Sequence, residues 1–218
     1  MFRVSLLALN IPADKTALVL IEPQNDFLKP GGAMYEFIKD QLKKRNVIEN
    51  LVDLVNRARG RVKIIYVPFH RFEPGFPELK PGGPAVEGLR GIEMEMPAWG
   101  GRGAWVKGTP GPEIIDELKP QPGDIVIEGK KTLDAFHSTA LDYILRANMI
   151  EWVAIAGFHT NWCVESTARS AYDKGYRVIV IKDCTATDTD EEQTYPERYI
   201  FPKIGRVMTK DDFLNSLK

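Results

Sequence analysis

Six short stretches of this chain are apolar at nearly every position rather than at every second one. They are Ala17–Ile21, Val62–Val67, Ile125–Ile127, Val153–Ala156, Val178–Ile181 and Arg206–Met208. A strand with one face in water alternates apolar and polar residues, so a continuous run needs cover on both faces. Helical patterns separate the runs. Val47–Val55 repeats its apolar residues at three- and four-residue spacing. Glu113–Leu118 follows Pro112, a good first-turn residue. Ser138 or Thr139 is placed to cap a helix over Ala140–Ala147, and a helix from Trp162 to Lys174 would stop at Gly175. Thr209 is placed to cap a last helix over Lys210–Leu217. This alternation predicts a three-layer α/β fold, with helices on both faces of a mainly parallel six-stranded sheet.

With 218 residues and no linker or internal repeat, the chain reads as one domain. One segment breaks the rhythm. Residues 73–112 are dense in Gly and Pro, with Trp99 and Trp105 embedded. A loop of this length inside a compact domain is usually functional, and its aromatics favour a lid or an interface loop over disorder. A formal net charge of −1 gives no footing for nucleic acid or an anionic membrane as partner. No apolar run nears the roughly 20 residues that span a bilayer, and the N-terminal residues lack the long apolar region and cleavage site of a signal peptide. The two cysteines, Cys163 and Cys184, have neither metal-ligand spacing nor a disulfide framework, which points to a cytoplasmic protein.

Parallel sheets bind ligands beyond the carboxyl ends of their strands. The residues that follow the runs are therefore the candidates for chemistry. The first run leads into Glu22-Pro23-Gln24-Asn25-Asp26-Phe27, the second into Pro68-Phe69-His70-Arg71, and the third into Glu128-Gly129-Lys130-Lys131. The fourth leads into Gly157-Phe158-His159-Thr160-Asn161-Trp162-Cys163, and the fifth into Lys182-Asp183-Cys184. A carboxylate, a lysine and a cysteine converge on one rim. Cys163 stands where a strand passes into a helix, and a helix N-terminus favours a thiolate near neutral pH. Cys184 only ends a buried strand and reads as packing.

These stretches resemble the isochorismatase-like cysteine hydrolases. The first motif resembles Leu18–Phe27; the second, Lys130–Phe136 with Thr139 and Leu141; the third, Gly157–Val164 through Thr167, Ala168, Ala171 and Gly175-Tyr176. Together they cover about residues 15 to 210, in the family's order and spacing. The resemblance implies a catalytic triad of Glu22, Lys130 and Cys163. It also implies an oxyanion hole from the backbone N–H groups of His159 and Cys163, beside a cis bond between Phe158 and His159. The family's usual acid is Asp, so Glu22 departs from the pattern by one methylene, while Asp26 matches an acidic position taken as structural. Phe27, His70, Trp105, Phe136 and Asn161 are candidates to line the pocket, with His159 contributing mainly its backbone.

The expected activity is hydrolysis of a C–N bond in a small amide, carbamoyl or ureido compound through a thioester. The motif around Thr160-Asn161 and Cys163–Thr167 leans towards ureidoacrylate and biuret hydrolases. No cofactor is expected. Some relatives bind a metal through an Asp-x-His pair, but Pro68 stands where that Asp would be and only His137 and His159 remain as further histidines. The resemblance also implies a homodimer or homotetramer, with the 73–112 loop a candidate to complete a neighbour's pocket. The rival readings are a non-catalytic metabolite-binding paralogue and a vinyl ether hydrolase of the isochorismatase type. A thiol-transfer protein is a further rival, but it would need a resolving cysteine close by.

Overall fold

A computed structural model describes residues 9–74, 77–78 and 105–218. The segment expected as a lid, 73–112, lies largely outside the described residues, Trp99 included. The strands are β1 (Thr16–Ile21), β2 (Lys63–Val67), β3 (Ile125–Val126), β4 (Trp152–Phe158), β5 (Arg177–Ala186) and β6 (Gly205–Met208). They form one sheet in the order β3-β2-β1-β4-β5-β6, and every adjacent pair is parallel. Each of the six apolar runs is a strand.

Two cores lie on opposite faces of this sheet, as the continuous runs require. Along β1, Leu18 and Leu20 face one core while Ala17, Val19 and Ile21 face the other. The first core is closed by α2 (Tyr35–Lys44) and α3 (Val47–Ala58), together with a C-terminal helix at Lys210–Ser216, through Ile38, Leu42, Leu51, Leu54, Val55, Phe213 and Leu214. The short α1 (Asn25–Leu28) precedes these in the chain. The second core is closed by α4 (Leu141–Ala147) and α5 (Glu165–Asp173), through Leu141, Leu145, Ala168 and Ala171. After β5 come α6 (Asp190–Tyr195), α7 (Phe201–Ile204) and then α8, the C-terminal helix.

Local chemistry sets several boundaries. Gly175, at φ +89°, ends α5 with paired bonds from the Gly175 N–H to the Tyr172 carbonyl and from the Tyr176 N–H to the Ala171 carbonyl. Thr139 accepts a 3.1 Å bond from the Leu141 N–H at the start of α4. Thr209 accepts one of the same length from the Asp212 N–H and caps α8.

Two expectations are corrected. Glu113–Leu118 is not a helix but a single 3-10 turn, Asp116–Leu118. Its first half is bound elsewhere: the Glu113 carbonyl accepts from Asn25, the Ile115 N–H donates to the Pro23 carbonyl, and Ile114 bridges Gln24. The helix expected from Trp162 starts instead as a π-helical turn, Thr160–Val164, that runs on into α5.

Candidate active site

The sheet order reverses direction between β1 and β4. From β1 the chain proceeds outward to β2 and β3, and from β4 outward the other way to β5 and β6. Connections leaving the carboxyl ends of β1 and β4 therefore diverge and open a crevice between them. Glu22 is the first residue after β1, and Cys163 lies in the turn after β4.

Close approach of these strands is possible because of Gly157. It has φ +122°, and a Cβ there would sit 2.0 Å from the Ile21 carbonyl oxygen. Glu22 follows directly with φ +53°, an uncommon conformation for a side-chain-bearing residue. Its N–H donates to the Val67 carbonyl and its own carbonyl accepts from Gln24. Lys130 arrives from beyond β3. Gly129 turns the chain at φ +91°, and the Lys130 carbonyl accepts a 2.7 Å bond from the His70 N–H.

The structure brings Glu22, Lys130 and Cys163 together in near-complete enclosure, at 1 %, 0 % and 5 % exposure. The Lys130 ammonium donates to the Glu22 carboxylate and to the Thr132 carbonyl, and it lies 5.2 Å over the Phe69 ring. Both charged groups act on the Cys163 thiol. Burial alone would discharge Lys130, but Glu22 and then Cys163 outweigh it and raise its pKa. Burial and the Glu22 charge push the Cys163 thiol well up, with Lys130 only partly opposing. The sulfur is enclosed beside a carboxylate rather than presented at an open helix end, and both conditions favour the thiol over the thiolate.

The loops around the three residues are held by bonded polar side chains. Gln24, fully buried, donates to the carbonyls of Phe69 and Pro112 and accepts from the Phe69 N–H. Asp26 accepts from the backbone N–H groups of Ala33 and Trp105, and its pKa is raised by burial against those two bonds. A structural role for Asp26 fits these contacts. Thr160 donates to Gln193, which in turn donates to Thr185 and Glu197, tying the cysteine turn to the far end of β5.

Among the pocket candidates, Phe27 and Trp105 pack with ring centroids 5.7 Å apart, and Trp105 lies 4.6 Å from Phe69. They form an aromatic wall that ends under Lys130. Asn161 accepts a 2.6 Å bond from Thr187. His70 sits edge-on to Phe72 at the margin, its pKa lowered by burial and by Lys131. Phe136 lies in the same core as Cys163, where it stacks on Tyr176 with the Lys174 ammonium over its ring. Cys184 is fully buried in the first core.

Sequence reasoning missed Phe69, which a reading of the Pro68–Arg71 stretch for cation-facing aromatics could have found. It also missed the His159 side chain. The Phe158–His159 peptide bond is cis, and the imidazole is buried between Phe27, edge-on at 5.7 Å, and Trp162, stacked at 5.5 Å.

An Isochorismatase domain model matches residues 16–212. The chain is 35 % identical over 210 residues to the isochorismatase family protein YwoC of Bacillus subtilis (strain 168), covering 96 % of this chain and 98 % of that one. A cysteine hydrolase from Pseudomonas syringae pv. phaseolicola superposes with a TM-score of 0.79 at 23 % identity, covering 99 % of this chain and 98 % of that chain. N-carbamoylsarcosine amidase from Thermoplasma acidophilum superposes with a TM-score of 0.64 at 27 % identity, covering 90 % and 97 % of the two chains. An all-parallel sheet with a carboxylate, a lysine and a cysteine at its switch point defines an α/β protein with a hydrolase-like site. The chain belongs to the isochorismatase family. Among the described residues no helix is long and apolar enough to cross a membrane.

Proposed function

We propose that this protein is a cysteine hydrolase that cleaves a C–N bond of a small amide, carbamoyl or ureido compound. The observation that carries the reading is the enclosed Glu22–Lys130 ion pair, with the buried Cys163 in the turn after β4 at the same β1/β4 crevice. Similarity to N-carbamoylsarcosine amidase supports the C–N bond as the target.

In this reading Glu22 takes the thiol proton as Cys163 Sγ bonds to the substrate carbonyl carbon. Burial beside Glu22 favours the thiol, which suits a proton transfer coupled to attack. Lys130 stays charged and stabilises the sulfur as its charge develops. The carbonyl electron pair moves onto oxygen, where the backbone N–H groups of His159 and Cys163 are the assigned donors. Loss of one such donor costs about 10²–10³ in rate in comparable sites. The tetrahedral adduct collapses as the C–N bond breaks and Glu22 returns its proton to the leaving nitrogen. Water then adds to the thioester with Glu22 as base, releasing the acid and regenerating the thiol. Glu22, one methylene longer than Asp, reaches Lys130 from its left-handed backbone position.

The test is ammonia release from a panel of carboxamide, carbamoyl and ureido compounds, with the unmodified protein and Cys163→Ala. Turnover of at least one class, abolished in the alanine variant, is expected. Turnover that survives Cys163→Ala would sink the covalent mechanism.

A further inference from the structure

The His159 imidazole is enclosed, its side chain 2 % exposed, yet neither ring nitrogen has a hydrogen-bond partner. Nδ1 lies 3.3 Å from Asp188 Oδ1, but the two are not aligned for a bond, and Oδ1 is itself buried without a partner. Three buried polar atoms left unsatisfied in one place call for an explanation, because each carries a desolvation cost.

Their location supplies one. His159 follows directly after β4, and its own N–H is an assigned oxyanion donor. The ring lies against Phe27, from the loop that carries Glu22, and against Trp162, next to Cys163. The reacting groups are equally enclosed. Asp188 stands on the loop after β5, which Thr187 fixes to Asn161. Among the described residues Asp188 has no lysine or arginine partner; its one ionic neighbour is His159.

We propose that His159 and Asp188 are the specificity contact for a hydrogen-bond-donating group of the substrate, such as a second carboxamide or ureido N–H, and that they exclude a carboxylate from that position. The proposal rests on the C–N hydrolase reading of the site and names its substrate class. In this arrangement Nδ1, 3.3 Å from Asp188 Oδ1, is the nitrogen placed to donate to the carboxylate, and Nε2 is the one placed to accept from the ligand. The pair thus presents acceptors and a negative charge, with no cation to receive an anion. Apo hydrogen bonds in such sites are often long and misaligned, and they tighten when ligand binds. A donor reaching Nε2 would complete Nδ1–H···Asp188 by the same movement.

A matched pair of ligands tests this: succinamide, with a distal carboxamide, and succinamate, with a distal carboxylate on the same skeleton. Binding is measured on the Cys163→Ala protein by NMR of the histidine rings. The chain has three histidines, and a His159→Gln spectrum assigns the relevant signals. Succinamide is expected to shift the His159 ring and to bind at least about tenfold tighter than succinamate, a difference of about 1.4 kcal/mol. Adding Asp188→Asn, a change that keeps the side chain's shape at a position 34 % exposed, is expected to bring the two affinities within about threefold. Succinamate binding as tightly as succinamide, a ratio unmoved by Asp188→Asn, an unshifted His159 ring, or no binding of succinamide would each overturn the proposal. None of these readouts needs turnover. Failure of the hydrolase reading shows separately, as a Cys163-containing protein that turns over no member of the panel.

Discussion

Replacing Lys130 with methionine removes the central charge of the site while keeping much of the side chain's length and its contact with Phe69. Glu22 would then be a carboxylate at 1 % side-chain exposure without its cation. Breaking a buried pair from one side costs about 3–5 kcal/mol, because the surviving charge is neither hydrated nor compensated. A domain has about 5–15 kcal/mol in total, so Lys130→Met should forfeit about a fifth of it or more. At this chain length that is a fall in Tm of about 6–20 °C. Glu22→Gln leaves the ammonium stranded and should act in the same direction. The double variant holds two neutral groups of similar volume, a replacement often close to neutral. It should be more stable than either single variant, with a coupling of about 2 kcal/mol or more. Urea unfolding at pH 7, extrapolated linearly, measures all four proteins, and all three variants should be inactive on the substrate panel. If the two single losses merely add in the double variant, the residues are not an enclosed pair and the account of the site built on them fails.

Gly157→Ala places a Cβ 2.0 Å from the Ile21 carbonyl at a φ of +122°. Backbone strain and overpacking together should cost about 2–6 kcal/mol and lower turnover by displacing Glu22; a loss under about 1 kcal/mol by urea unfolding would show that β1 and β4 do not approach so closely. Iodoacetamide labelling, read by mass spectrometry peptide by peptide, should find Cys163 slow at pH 8 and faster as the pH rises beyond the ordinary thiol range. Burial comes first in raising this thiol, the Glu22 charge second, with Lys130 opposing. Glu22→Gln should therefore speed labelling and Lys130→Met should slow it, and the reverse order would refute the assignment.

The sheet was legible because parallel strands buried on both faces leave no alternation to confuse: all six residues of β1 and all seven of β4 are buried. Glu22, Lys130 and Cys163 all follow such runs, but the choice of Lys130 over Lys131 comes from the resemblance to the isochorismatase-like hydrolases and not from position alone. α2 was not legible, since only Ile38, Gln41 and Leu42 of its ten residues are buried, too narrow a stripe to register as a period. Pro112 and the spacing after it suggested a helix at Glu113–Leu118, but tertiary bonding to the loop after β1 overrode that local preference. β5 seemed to end at Ile181 because Lys182 and Asp183 interrupt its apolar run; in fact it continues to Ala186. That extension brings Asp188 to the same rim as His159. Without it, nothing in the sequence suggested a partner for the imidazole.

Buried polar residues at this rim divide by whether the fold uses them. Gln24 spends both its amide nitrogen and its oxygen on backbone partners, and both oxygens of Asp26 accept backbone N–H groups. Thr160 and Asn161 are each bonded across to the β5 side. These bonds hold loops that would otherwise diverge at the switch point. The His159 ring and the Oδ1 of Asp188 are buried with no such bond. A fold that satisfies its polar groups so fully within a few residues of Cys163 gains no stability from leaving these unpaired. The imbalance has a physical rationale if the missing partner arrives with the substrate, since a site built to bond an N–H rejects an analogue lacking it by leaving its own buried acceptors unpaired.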